Sequence, residues 1–241
     1  MKRSLKEAIV VFNSSVTPED LSIIPNNFSG DVVIMGDLCG EGDVIFNGGL
    51  WIDGKIEIDG DVTVDFIDAK GIVCDTLISS DINCVGDIKC CEIIILGNFD
   101  CICSRSYEGI FLGAVIDCEA DITVLGNVIC RVLDCGDANI KGELSVLDNI
   151  VAGDLSVKGN LYCSGSIIVD DLVGGQNIFC GKDINSESDI TVKDNVLCKN
   201  ITAIDIGIDK DLFCENITAR DIKVGGIMQC ERIEASSFNL D

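Results

Sequence analysis

The chain has 241 residues, of which 17 are basic and 41 acidic, so its formal net charge at pH 7 is −24. That charge predicts a chain that repels nucleic acid and anionic membranes. With 25 Gly, 2 Pro and 15 Cys, and with β-branched residues alternating with Asp, Asn and Gly, the composition favours short strands joined by tight corners and therefore an all-β chain.

Residues 1–30 are predicted to form an N-terminal cap. The apolar run from Ala8 to Phe12 is shorter than the apolar region of a signal peptide and far shorter than the roughly 20 residues of a membrane span. The segment around this run predicts an amphipathic helix or a capping strand. Thr17 followed by Pro18 predicts a helix start with Thr as the N-cap residue. We therefore expect a cytoplasmic protein with no membrane span, in which the thiols stay reduced.

A repeat of short strands fills residues 31–235. Residue pairs with the pattern apolar-any-apolar recur at steps of five or six, and Cys198 and Cys214 mark a longer period of 16. Three such strands per revolution predict a single-stranded triangular parallel β-helix, or β-solenoid, of about twelve coils with 16–18 residues per coil. Residues 102–109 interrupt the series and are predicted to be a small loop, after which the series resumes at Ile110. Residues 236–241 are assigned to a C-terminal tail.

The residue types that carry chemistry argue against an enzyme. Without His, the chain lacks the usual general base and the usual activator of a nucleophile. It has no C-x-x-C pair for a zinc site, and most of its cysteines fall at inward positions of the repeat, where Cys behaves as a small apolar residue. Cys39, Cys91 and Cys103 lie far enough from the core to react. We predict no catalytic residue, no cofactor and no metal site.

Much of the acidity has a structural explanation. Aspartates such as Asp31, Asp43 and Asp189 directly precede an inward apolar residue, which places them at corners between strands. A carboxylate at a corner can accept hydrogen bonds from nearby backbone N–H groups. The 17 basic residues are still too few to neutralise the chain, which leaves a basic partner as a second explanation.

The outward middle residues of the strands predict two contrasting sides of the solenoid, because coil closure does not dictate their identity. The side that contains the C-terminal cysteine column is largely apolar at these positions, and an exposed apolar stripe marks an interface. Its predicted partner-binding residues are Ile78, Ile94, Phe111, Ile129, Tyr162, Phe179, Leu197 and Phe213. The neighbouring side carries the predicted acidic face, Asp68, Asp100, Asp117 and Asp134. Two alternatives stay open: a tail or loop covers the stripe, or the assignment through residues 102–109 is displaced by one strand.

Runs such as GDLSVKGNL at residues 153–161 and NITA at residues 200–203 resemble those of the bactofilins, bacterial polymer-forming cytoskeletal proteins with a triangular parallel β-helix. The likeness covers roughly residues 31–235 and lies in the style of the repeat. It implies a right-handed helix and filaments assembled end to end. The chain differs from that family in having more coils and a segment that closes its N-terminal end.

Two hypotheses about function follow. In the first, the chain is a bactofilin-like scaffold that associates with itself, as a homodimer or a filament, through its apolar face or its coil ends. In the second, it is an acidic solenoid that binds a basic protein, either as an immunity protein against a toxin or as a DNA mimic. Salt screens the capture of a basic partner but not apolar contacts, so the salt dependence of association separates the two.

Overall fold

The chain forms a parallel β-solenoid. The computed structural model describes residues 9–24, 28–84, 88–95, 99–101, 106–107, 110–111, 115–118 and 121–240. Within these ranges the regular secondary structure is β-strand, apart from one short helix, Pro18–Leu21. The strands wind into about eleven turns, which confirms the predicted fold class and comes within one of the predicted number of coils.

Most of the strands are two to four residues long, as expected from short apolar pairs bounded by Asp, Asn and Gly. The first strands are Ile9–Phe12, Asp31–Ile34, Leu38–Glu41, Val44–Ile45, Gly49–Ile52, Ile56–Asp59, Val62–Ala69, Ile72–Cys84, Ile88–Ile95, Phe99–Cys101, Ser106–Tyr107 and Ile110–Phe111. Those that follow are Val115–Cys118, Ile122–Val124, Val128–Cys130, Val132–Cys135, Ala138–Ile140, Leu144–Val146, Ile150–Val151, Leu155–Val157, Leu161–Cys163, Ile167–Val169, Leu172–Gly174 and Ile178–Cys180. The last are Asp183–Ser186, Asp189–Val192, Val196–Leu197, Asn200–Thr202, Asp205–Ile208, Leu212–Phe213, Asn216–Thr218, Asp221–Val224, Met228–Gln229, Arg232–Glu234 and Ser237–Leu240.

Parallel pairing from coil to coil stacks these strands into three faces, each traced here by one row of residues whose backbones pair. Face 1 runs through Val44, Val62, Leu77, Ile93, Ile122, Ala138, Leu155, Leu172, Ile190, Ile206, Ile222 and Phe238. Face 2 runs through Val32, Leu50, Ile67, Ile82, Phe99, Val128, Leu144, Leu161, Ile178, Val196, Leu212 and Met228. Face 3 runs through Leu38, Ile56, Ile72, Ile88, Ile116, Leu133, Ile150, Ile167, Ile184, Ile201, Ile217 and Ile233.

The core is the inside of the triangle. Side chains alternate across each strand, so the two apolar residues of an apolar-any-apolar unit point inward and the residue between them points out. In the strand Leu161–Cys163, Leu161 and Cys163 are buried while Tyr162 is exposed. The same alternation recurs in most coils, and the buried residues form one continuous hydrophobic cluster, whereas Ile233 and Phe238 in the last coil are exposed. Closure of the coils therefore restricts the identity of the inward residues but not that of the outward ones.

The interruption of the repeat is longer than predicted, and it displaces the assignment of faces by one strand. Ile88 pairs with Ile116, a step of 28 residues, where 16–18 were predicted for each coil. Part of the extra length is a hairpin whose strands, Ser106–Tyr107 and Ile110–Phe111, pair antiparallel with each other. Most of residues 102–109 lie outside the described part of the chain. The prediction that the solenoid resumes at Ile110 is wrong, because this apolar pair belongs to the hairpin.

Corner carboxylates and amides join successive coils. Asp31 Oδ1 accepts a hydrogen bond from the Gly49 N–H at a donor–acceptor distance of 2.9 Å, and Asn149 Oδ1 accepts one from the Ser166 N–H at 2.9 Å. In each case the donor is the equivalent residue one coil later. The same contact is made by Asp37, Asp43, Asp61, Asp121, Asn127, Asp137, Asn160, Asp171, Asn177, Asp189, Asn195 and Asp211. Aspartates thus make the contact expected at the corners, which supports a structural role for part of the acidity.

Different structures stand at the two ends of the described solenoid. Near the N-terminus, Ile9–Phe12 pairs with the first strand of face 2, and the helix begins at Pro18 with Thr17 as its N-cap, as predicted. Thr17 and Asp20 form a capping box, and the hydrogen bonds from Thr17 lower the pKa of the Asp20 carboxyl. Near the C-terminus, Ser237–Leu240 pairs with the preceding coil, so residues assigned to a tail form a strand of face 1. The proposed boundary at residue 30 stays a prediction.

Replacement of Asn177 by Ala tests the corner contacts. Asn177 Oδ1 accepts hydrogen bonds from both the backbone N–H and the side-chain amide of Asn195, at 3.3 and 2.8 Å. Their loss should lower the free energy of unfolding by about 1–2 kcal/mol in urea denaturation. Gln176→Ala, at the exposed neighbouring position, is the control and should change it by less than about 0.5 kcal/mol. Equal effects of the two substitutions would contradict the role of the corner amide.

Candidate interaction surface

An exposed aromatic and aliphatic patch lies on face 2 in the C-terminal half of the solenoid. The outward residues Tyr162, Phe179 and Leu197 belong to three successive coils, and 40%, 37% and 49% of their surfaces are exposed. The rings of Tyr162 and Phe179 stack with their centroids 5.2 Å apart and an interplanar angle of 7°. Ile129 and Phe213, at the ends of this row, are half-buried. The stacking of successive coils therefore places these side chains in one row.

The patch continues around one edge onto face 3. Leu147 stands at the corner between faces 2 and 3, and Val151 and Ile168 point outward from the next strands of face 3. Their exposed fractions are 49%, 39% and 48%. The sequence reasoning missed these three residues, although Val151 and Ile168 occupy the same outward middle position as Tyr162. We define the apolar patch as Tyr162, Phe179, Leu197, Leu147, Val151 and Ile168.

The predicted partner-binding residues divide between two faces and the hairpin. Ile129, Tyr162, Phe179, Leu197 and Phe213 lie together on face 2, where they follow one another with Ser145 as the interruption. The remaining three do not belong to this row. Ile78 and Ile94 lie on face 1, whose column continues from Ile94 to Thr123, and Phe111 lies in the hairpin. The prediction of one apolar row through all eight residues is wrong for these three.

The predicted acidic face is divided by the same displacement. Asp68 and Asp100 lie on face 2, and the backbone of Asp100 pairs with that of Ile129 at the start of the apolar row. Asp117 and Asp134 pair with each other on face 3. The four predicted residues therefore do not form one face.

Charge is segregated around the cross-section of residues 121–240. The edge between faces 1 and 2 carries four residues of each sign: Lys141, Lys158, Lys193, Lys210, Glu143, Asp194, Asp209 and Asp211. The edge between faces 2 and 3 is balanced in the same way, by Arg131, Lys182, Lys199, Arg232, Asp148, Asp183, Glu215 and Glu231. Ion pairs form within these edges, for example Lys210 with Asp194 at 2.5 Å, which raises the pKa of Lys210. Both edges that border face 2 are therefore charge-balanced.

The remaining edge, between faces 3 and 1, is strongly acidic. Within residues 121–240 it carries nine carboxylates and one basic residue: Asp121, Asp137, Asp154, Asp170, Asp171, Glu187, Asp189, Asp205, Asp221 and Arg220. Desolvation and repulsion by Asp137 and Asp171 raise the pKa of Asp154. We call this the acidic edge. It lies opposite face 2, so the part of the apolar patch on face 2 points away from the excess negative charge.

The described cysteines are free thiols, and most are buried in the core as predicted. Cys163 and Cys180 each connect the end of a face 2 strand to the corner of the preceding coil. Their Sγ–H groups donate to the carbonyls of Asp148 and Gly165 at 3.1 and 3.2 Å. Burial raises the pKa of Cys130 to about 12. Among the described residues, no group of His, Cys, Asp and Glu is arranged to hold a metal ion.

The cysteines predicted to react are only partly described. Cys39 is half-buried, and desolvation together with the nearby carboxylates of Asp37 and Glu57 raises its pKa, which disfavours the nucleophilic thiolate. The side chain of Cys91 and the whole of Cys103 lie outside the described residues. The reactivity of these three thiols stays a prediction.

Comparisons with known proteins give no relative. No protein-family model, no curated protein and no solved structure matches the chain. The resemblance to the bactofilins accordingly rests on the repeat and on the parallel β-solenoid. In the described part of the chain no helix has the length and apolar character needed to cross a bilayer.

Adjacent Lys substitutions test the inward and outward assignment at the patch. Phe179→Lys should leave the far-ultraviolet circular dichroism spectrum and the cooperative unfolding transition unchanged, because this side chain points out. Ile178→Lys, one residue earlier, should unfold the coil or abolish soluble expression, because Ile178 is fully buried and a Lys there would be an unpaired charge in the core. Unfolding by Phe179→Lys would show that this side chain belongs to the core.

Proposed function

We propose that the chain is a non-catalytic structural protein, a bactofilin-like scaffold that associates with itself through the apolar patch. The observation that carries the proposal is the patch itself: Tyr162, Phe179 and Leu197 are exposed on successive coils of a regular face. Isolated exposed apolar side chains are ordinary, whereas a contiguous row with aromatic residues at its centre is typical of an interface.

The charge distribution supports self-association at this surface in preference to any other. Two chains of net charge −24 repel each other, so they can approach only where the local charge is low. The outward residues of face 2 from Ile129 to Gln229 carry no charge, and both bordering edges are balanced. The acidic edge faces away from this surface. Contact through face 2 therefore keeps the two acidic edges apart.

A second function draws on the acidic edge. A column of carboxylates along one edge could bind a basic protein, as an immunity protein or a DNA mimic would. This interaction would weaken with rising salt, because it depends on charges that are exposed to solvent. Self-association through the apolar patch should persist or strengthen, since salt screens the repulsion between the two chains.

Sedimentation velocity at several protein concentrations tests the proposed function. The wild-type chain should form a discrete oligomer at both 50 mM and 1 M salt. The double variant Phe179→Lys/Leu197→Lys should associate at least about a hundredfold more weakly, because it removes two apolar contacts and places two charges in the interface. Ser156→Lys/Thr191→Lys, at outward positions of face 1, adds the same charge elsewhere and should associate like the wild type.

Monomeric wild-type protein at all concentrations would overturn the proposal. Association of the wild type that is lost at 1 M salt would instead favour the acidic-edge interpretation. If the face 1 control dissociates as fully as the face 2 variant, the patch is not the interface.

A further inference from the structure

We propose, on the basis of the self-association above, that two copies dock face 2 to face 2 with their rods antiparallel, about a two-fold axis that passes between Tyr162 and Phe179. The partner is thus a second copy of this chain, and the contact is isologous: the same surface is used by both copies. The arrangement follows from the order of outward side chains on face 2 and from the signs of the charges beside them.

The outward residues of face 2 are complementary in size to the same residues of a second copy placed in reversed order. With the axis between Tyr162 and Phe179, each of these rings lies opposite the other ring of the partner copy. One coil further out, Ser145 lies opposite Leu197, so a small side chain meets a large exposed one. Beyond these, Ile129 faces Phe213. The larger side chains thus face smaller or flat partners, as close packing across an interface requires.

Charges on the edge between faces 2 and 3 match in the same register. A two-fold axis perpendicular to the rods places this edge against itself, in reversed order. Arg131 then lies beside the partner copy's coil that carries Glu215, and Asp148 beside the coil that carries Lys199. Within one chain, Arg131 Nη1 already lies 3.8 Å from Asp148 Oδ2. The four side chains therefore form a network of alternating sign across the interface.

A parallel arrangement lacks this complementarity. A two-fold axis along the rods would place each coil opposite the same coil of the partner, and the edge between faces 1 and 2 against the edge between faces 2 and 3. In the coil of Leu197, the edge that carries Lys193 and Asp194 would then meet Lys199, so repulsion and attraction offset each other. In the coil of Phe213, the edge that carries Asp209, Lys210 and Asp211 would meet Glu215, which brings a net negative edge against a negative charge. Neither juxtaposition gives a net attraction, whereas the antiparallel register pairs opposite charges.

Charge reversal at Lys199 tests the antiparallel register. Lys199→Glu places two like-charged contacts in the dimer, one on each side of the axis, and should weaken dimerisation about tenfold at 50 mM salt. The same-chain double variant Lys199→Glu/Asp148→Lys restores both contacts with reversed signs and should recover most of the loss. Lys223→Glu, exposed on face 1, changes net charge equally and serves as the control. A second pair, Arg131→Glu and Glu215→Arg, repeats the cycle at the other contact.

The outcomes separate this inference from the function on which it rests. A wild-type chain that remains monomeric overturns the proposed function and this inference together. A dimer that is abolished by Phe179→Lys/Leu197→Lys, yet is weakened equally by Lys199→Glu and Lys223→Glu, supports the interface and overturns the antiparallel register. Recovery in the double variants but not in the control is the result expected for antiparallel rods.

Discussion

The whole structure depends on the in-register stacking of inward apolar side chains from one coil to the next. Leu161, Ile178 and Val196 are almost completely buried because each is covered by its neighbours above and below. Burial of one such side chain contributes roughly 1.5–3 kcal/mol, and the sum over the coils holds together a chain whose net charge opposes compaction. Since stacking fixes which residues point in, it also fixes which point out, and the apolar patch is a consequence of that register.

Side chains at the corners are the second requirement, because backbone N–H groups between such short strands need hydrogen-bond acceptors. Asp and Asn side chains accept hydrogen bonds from backbone N–H groups of the following coil, so they stabilise stacking and set the spacing of the corners. Space at the corners is limited: a Cβ atom added to Gly159 would lie 2.5 Å from the Gly142 carbonyl oxygen. Much of the acidity therefore belongs to the architecture. The balanced edges beside face 2 need a separate explanation, which an interface supplies.

The periodic parts of the fold could be predicted from sequence, and the interruption could not. Steps of five or six residues identify the strands, their inward residues and the cysteine column, because coil closure imposes them. The pair Ile110–Phe111 has the same apolar spacing as a solenoid strand, and only tertiary pairing reveals that it belongs to a hairpin. Treating this pair as a solenoid strand placed Ile78 and Ile94 in the wrong predicted row. Val151 and Ile168 were missed because the aspartates assigned to their side of the solenoid led to its interpretation as acidic.

Small-angle X-ray scattering from the purified chain tests most directly whether the apolar patch of face 2 joins two copies side by side. A single rod of about eleven turns at ~4.8 Å per turn is about 53 Å long before its cap is added. The account predicts twice the 25.7 kDa mass of one chain, with a maximum dimension well below twice that of the single rod. The mass of one chain, or a dimer about twice as long as one rod, would contradict it.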